Sequence, residues 1–340
     1  MDFGIFTMFS TREGATQSQT FHEWFKLVQV AEDLGLDTLW LGESHFRPQR
    51  AVLASPLIGA SAVAARTKRI QVGLAVQVLP LANPLRVAEE AAIVDHISEG
   101  RLIFGVGRSS FLESYEGYNV DYAESRALFA ESLEIIRQAW GAESFSYVGH
   151  YYQFHDVQVV PKPYQQPHPP IRVAVESRDT FRLVGRLGLP IFIRHQMDIP
   201  ELQDLLQQYQ EERQAAGFSG PNDVILQIAT YVAETADKAR SEPEASTMRQ
   251  RRLVRQSLHR AADQEAFERL KRISEVSYDD VLHRVAYGTP EAVVERLQEY
   301  QEALGITGVS LDVNPGGQIP YDQVVHSIRL LTEKVVPQFK

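Results

Sequence analysis

The chain has no cysteine among its 340 residues. That absence excludes disulfides, thiolate metal sites, iron–sulfur clusters and a cysteine nucleophile together, and it leaves the compartment open. Long apolar runs are missing as well. No stretch of about 18 apolar residues occurs, so no membrane-spanning helix is expected. Cationic excess is also lacking: a formal net charge of -10 offers no positive field to nucleic acid or to a membrane surface, and neither is expected as a partner. Met1–Phe9 carries an acid at Asp2 and no basic segment, so it does not read as a signal peptide, and a cytoplasmic protein is expected. No Gly-rich dinucleotide fingerprint follows the first apolar segment. No HxH or HExxH spacing suggests a metal, and no internal repeat or low-complexity tract is present.

What is present is an ordinary globular composition, 44% hydrophobic and 23% charged, able to bury a large core. Apolar patterning predicts strands at Asp2–Phe9, Thr38–Leu41, Ile70–Leu79, Leu102–Val106, Ile171–Val175, Pro190–Ile193, Val224–Val232 and Val309–Val313. Between them, helices are predicted at Phe21–Leu34 with Gly35 as its cap, Pro56–Arg66, Pro84–Ile97, Ser125–Trp140, Thr180–Leu187, Pro290–Leu304 and Tyr321–Val336. Strict alternation implies parallel pairing with right-handed crossovers. Eight strands without a dinucleotide fingerprint point to an α/β fold of the (β/α)₈ TIM-barrel type with insertions, a single domain over residues 1–340. Two stretches break the rhythm. Ser146–Phe154 with Pro161–Pro170 reads as a short hairpin and a Pro-rich connector. Ala239–Ser277 reads as a charged helical insertion containing Met248–Gln256 (MRQRRLVRQ), a solvated surface segment or a lid over the site.

Barrel enzymes carry their chemistry on the loops after each strand. Four such places are polar: Glu43-Ser44-His45-Phe46, Gly105 to Ser110, Glu176 to Thr180, and Arg194-His195-Gln196. Arg108 beside Ser109 and Ser110, with Ser177 and Thr180 opening a helix, offers what a phosphate monoester requires: forked guanidinium donors, hydroxyls and free helix N–H groups. Ser177 and Thr180 taken alone read equally as helix caps. Gly73 to Val76 would let a flat ring lie against the backbone, and would also serve as plain core. His45 and His195 sit where a general acid or base would act, or are structural, and Glu43 either orients His45 or is satisfied at the barrel mouth. No metal is assigned.

At these residues the chain resembles the bacterial luciferase family of flavin-dependent monooxygenases over nearly its whole length. The likeness is carried by Phe3–Phe6, Leu34–Phe46, Val72-Gly73, Leu79-Pro80, Asn83–Arg86, Gly100–Arg108, Asp121–Arg126, Val175–Ser177 and Gly288–Glu291. The resemblance implies a flavoprotein barrel that binds reduced flavin mononucleotide (FMNH₂), supplied by a separate flavin reductase, with O₂ as co-substrate and a homodimeric assembly. It also implies Arg108, Glu176, Ser177 and Thr180 on the flavin phosphate, Ser110 and Phe6 among the other cofactor contacts, and a non-proline cis peptide at Ala75-Val76 beneath the ring. His195 falls where luciferase has a tryptophan near the ring. One departure matters: luciferase has two adjacent histidines after the glutamate, where this chain has Ser44 and His45, and its reactive cysteine position is Gly107. Light emission and luciferase's acid–base scheme are therefore not carried over. The expected reaction is monooxygenation through a C4a-(hydro)peroxyflavin, Baeyer–Villiger or otherwise, on a small carbonyl-containing or apolar substrate. Ser44 and His45, with Glu43, would govern its proton, and Phe6, Met8, Phe9 and Phe111 would line the pocket. The alternatives are hydride transfer with a deazaflavin and a non-catalytic flavin-binding subunit.

Overall fold

Eight parallel strands close on themselves in the computed structural model, which describes residues 1–194, 197–261 and 264–340, leaving aside the side chains of 265 and 269. They are β1 Asp2–Thr7, β2 Thr38–Leu41, β3 Gln71–Leu74, β4 Leu102–Gly107, β5 Ile171–Ala174, β6 Ile191–Arg194, β7 Val224–Val232 and β8 Gly308–Asp312. Each pairs with its neighbours in chain order, and β8 returns to β1 with Asp2 opposite Gly308. The expected TIM barrel is the fold. Around it lie α1 Gln17–Asp33, α2 Pro56–Ala64, α3 Pro84–Ser98, α4 Ser125–Gly141, α5 Arg178–Leu187, α6 Ile199–Ala215, α7 Pro290–Leu304 and α8 Tyr321–Leu330.

Period-two alternation sorts the strand side chains. Phe3, Ile5, Leu39, Leu41, Val72 and Leu74 face outward into the layer shared with the helices, while Phe6, Trp40, Phe192 and Ile225 fill the barrel. Trp40 is fully buried, and room for its indole comes from two glycines: a Cβ on Gly73 would lie 2.3 Å from it and one on Gly4 2.6 Å. Gly73 therefore serves the core and not a flat ligand. Gly73→Ala is expected to lower stability by about 1–3 kcal/mol through overpacking, read as a drop in thermal midpoint; an unchanged midpoint would mean that the indole can move.

Helix ends follow local chemistry. α1 begins four residues before its apolar pattern, because Thr16 and Gln19 form a reciprocal capping box over a polar first turn. Asn83 caps α3 ahead of Pro84, and Thr289 caps α7 ahead of Pro290. α6 lies outside the predicted elements although its buried Leu202, Leu205, Leu206 and Tyr209 keep helical spacing; the polar residues between them dilute the signal. The predicted strand Ile70–Leu79 is two pieces. β3 stops at Leu74, the Ala75-Val76 peptide is cis, and Gln77–Val78 pairs onward with Val106 and Gly107 of β4. The hairpin forms as Phe145–Val148 against Gln153–Val157.

The insertion folds as helices Ala236–Ser241, Glu244–Arg255, Gln264–Ser274 and Tyr278–Leu282. Its basic stretch is not wholly solvated. Arg249 is buried and donates to Glu13 Oε1 at 3.1 Å and to the carbonyls of Gly316 at 2.7 Å, Gln49 at 2.9 Å and Thr11 at 3.2 Å. One guanidinium thus clamps the insertion onto the loops after β1, β2 and β8. Further along, Ala261 bridges to Phe111, and Arg260 reaches Glu116 at 3.3 Å.

Candidate active site

The carboxyl ends of the strands open into a cavity of about 1340 Å³. Phe6, Glu43, Ala75, Val76, Arg108, Ser110, Glu176, Ser177 and Thr180 all line it, so residues far apart in sequence are brought to one wall system. His195 lies outside the described residues. Phe9, expected in the pocket, is instead fully buried in the outer layer, stacked on Trp24 with centroids 6.1 Å apart.

One end of the cavity is rich in donors. Ser109 takes a left-handed φ of 62° and its hydroxyl accepts the Phe111 N–H, a tight turn that follows Arg108 directly. Arg108 then donates from Nη1 to Ser125 Oγ at 3.0 Å, which leaves most of its fork for a ligand. Ser177 is the N-cap residue of α5, yet its hydroxyl makes no cap bond; it pairs with Thr180 Oγ1 at 2.8 Å. The first-turn N–H groups of α5 are thereby not occupied by the cap side chain, and two hydroxyls stand beside them.

Another part of the wall carries little side chain. Gly107 and Ala174 face the Ala75-Val76 peptide, and a Cβ on Gly107 would lie 2.7 Å from Val76 Cγ2. A planar ring fits a wall with so little side chain. The Glu43 carboxylate borders this part with both oxygens engaged: Oε1 meets His45 Nε2 at 2.6 Å, and Oε2 accepts the Val78 N–H at 2.8 Å. Burial holds Glu43 above the ordinary carboxyl range, opposed by the bonds from His45 and Val78. His45 lies behind Glu43, with Nδ1 3.3 Å from the Tyr118 hydroxyl. Ser44 is half-buried and gives its N–H to Leu53 O; neither it nor His45 is part of the cavity wall. His45, expected to meet the cofactor directly, therefore reaches the cavity through Glu43.

Several cavity residues escape the sequence reading. Arg50 and Arg194 line the same cavity, Arg194 paired with Glu176 at 3.4 Å. Asp312 closes β8 nearby, where burial raises it to about 6. A charge at the carboxyl end of an apolar strand was a usable signal for Asp312. Arg50 had none, since it sits mid-loop. Among the described residues no group of three histidines or carboxylates is close enough to hold a metal, and no helix is long and apolar enough to cross a membrane.

The model of the luciferase-like monooxygenases matches residues 1–307. The alpha chain of alkanal monooxygenase from Photorhabdus luminescens is 27% identical, over 100% of this chain and 97% of its own. A monooxygenase from Streptomyces bottropensis superposes with a TM-score of 0.86 at 26% identity, with all of both chains covered. The oxygenating constituent of a diketocamphane monooxygenase of Pseudomonas putida, a type II Baeyer–Villiger enzyme solved in complex with FMN, shares the fold at a TM-score of 0.85 and 19% identity, over 100% of this chain and 99% of that one. Because the family model spans seven of the eight barrel strands and every residue that lines the cavity, the chain belongs to the luciferase-like monooxygenase family.

Proposed function

We propose that this chain is the oxygenating component of a two-component cytoplasmic system, taking reduced FMN from a separate reductase and using O₂ to oxygenate a small organic substrate. The observation that carries the reading is the cavity, with phosphate-type donors at Arg108, Ser177 and Thr180 and a nearly side-chain-free wall at Ala75, Val76, Gly107 and Ala174. Bound reduced FMN would supply the electrons that activate dioxygen. The chain's own part is to grip the phosphate, lay the ring on the Ala75-Val76 peptide, keep bulk water from it, and hold a proton at Glu43 Oε1 or His45 Nε2. Ser44, Ser110 and His195 stay within the proposed set, Ser44 as the chain neighbour of Glu43. The 239–277 segment would cover the mouth, since Phe111 and Glu116 line the cavity and touch Ala261 and Arg260.

Stopped-flow mixing of the reduced-FMN complex with oxygen tests this. Return of oxidised-flavin absorbance should be slower than for free reduced FMN, because the cavity withholds water and protons. A return as fast as that of free flavin speaks against the oxygenase reading, and failure to bind FMN sinks it. We also propose a homodimer. Ile58 on α2 and Ile93 and Ile97 on α3 are 71%, 45% and 42% exposed, an apolar face on two adjacent helices that a second copy would cover. Light scattering should give a dimer, and Ile58→Glu with Ile93→Glu a monomer; a monomer in the unaltered protein removes the assignment.

A further inference from the structure

The cavity holds a cation that has no ion-pair partner among the described residues. Arg50 lines it, and among the described residues its guanidinium has neither a hydrogen-bond acceptor nor a carboxylate within ion-pair reach; its neighbour is the Phe111 ring, 4.7 Å from Cζ. The surrounding charges do not supply a partner. Glu43 is committed to His45 and the Val78 N–H, and Glu176 to Arg194. Asp312, which accepts Gln250 Nε2 at 3.3 Å, and Glu113 favour the Arg50 charge from a distance, and neither comes within ion-pair reach of it. Arg47, over the same Phe111 ring at 4.1 Å, donates to Ser257 and leaves Nη1 buried without a partner. Burial, then the like charges of Arg47 and Arg194, bring Arg50 down to about 9, so it remains charged at neutral pH. An enclosed cation facing an open cavity is costly until an anion completes it. The phosphate donors, Arg108 with Ser177 and Thr180, are a separate set.

We propose that the substrate of this chain carries a carboxylate, seated in the fork of Arg50 with Arg194 beside it, and that its apolar part rests on Phe6, Met8 and Phe111. The inference rests on the flavin reading above and names the substrate class for that site. It narrows the expectation of a small carbonyl-containing or apolar substrate. The physical reason is that a guanidinium offers planar paired donors matched to a carboxylate, whereas an aldehyde or ketone leaves most of them unmet.

The test is calorimetric titration of the FMN-loaded protein with benzoate and hexanoate, against the neutral benzamide and hexanamide. FMN binding is measured first, by quenching of flavin fluorescence. At least one acid should bind about 10-fold or more tighter than its amide, the margin expected of a charge-assisted pair. Arg50→Gln should abolish that preference, and Arg50→Lys should keep part of it. Equal binding of acids and amides by the unaltered protein overturns the proposal without recourse to any variant. So does a preference that survives Arg50→Gln, or an Arg50→Gln protein that loses FMN affinity about 10-fold while the acid preference stands, which would assign Arg50 to the cofactor. If FMN does not bind at all, the flavin reading falls and this inference with it; if FMN binds and the acids show no advantage, only the inference falls.

Discussion

Arg108→Ala is expected to weaken FMN binding about 100-fold while leaving riboflavin, which lacks the phosphate, within about twofold. The contrast follows from where the donors lie. Arg108 lines the cavity with Ser177 and Thr180, which pair across the opening of α5, and among the described residues its guanidinium donates to Ser125 alone. Two charge-assisted bonds to a phosphate oxygen pair contribute about 3 kcal/mol together, which is the 100-fold quoted. Folding should be little affected, since truncation leaves only the Ser125 hydroxyl without its donor. Arg108→Lys should recover part of the affinity, because a lysine keeps the charge but loses the fork. Equal weakening of FMN and riboflavin would place Arg108 under the ring or in the scaffold and remove the phosphate assignment. Fluorescence quenching of the two flavins, read side by side, decides the matter.

That residue was legible in the sequence, and the reason is instructive. Arg108 follows an apolar strand and precedes small residues, so its place at the barrel mouth follows from the strand assignment alone. The same logic located Glu176, Ser177 and Thr180. It faltered where a property depends on packing across the barrel. Gly73 could be read as ligand space or as core until Trp40 was seen lying against it. Phe9 belongs to the outer layer because its backbone turns at a φ of 56° just past β1, which strand alternation does not register. Arg249 sat within a run of bases that looked solvated, and only the meeting of three loops shows why it is buried. The Glu43 to His45 contact was open in the sequence as one of two readings. Its consequence, that the imidazole stands behind the carboxylate, required the fold.

Glu43→Gln should separate the proton role of that pair from its structural role. In the folded protein burial raises the Glu43 pKa above its unfolded value, so the folded state holds the proton to higher pH. Stability from this group is then full below the unfolded pKa and is lost as pH rises through the folded one. A glutamine does not titrate. Its oxygen can accept the Val78 N–H and its amide can donate to His45 Nε2, which would direct the remaining ring proton to Nδ1, facing Tyr118. The stability difference between the variant and the original should therefore move in the variant's favour as pH climbs upward from the ordinary carboxyl range. The oxygen reaction should respond differently. With no carboxyl to pass a proton between Oε1 and Nε2, its rate should fall about 100-fold, the lower end of general acid–base effects. The ionisation that the unaltered protein shows above the ordinary carboxyl range should vanish from the pH profile. FMN affinity should hold, since the phosphate donors are untouched. A variant that keeps the full pH profile would show that Glu43 braces the Val78 segment and moves no proton; a variant that loses FMN as well would place the carboxylate on the ring itself.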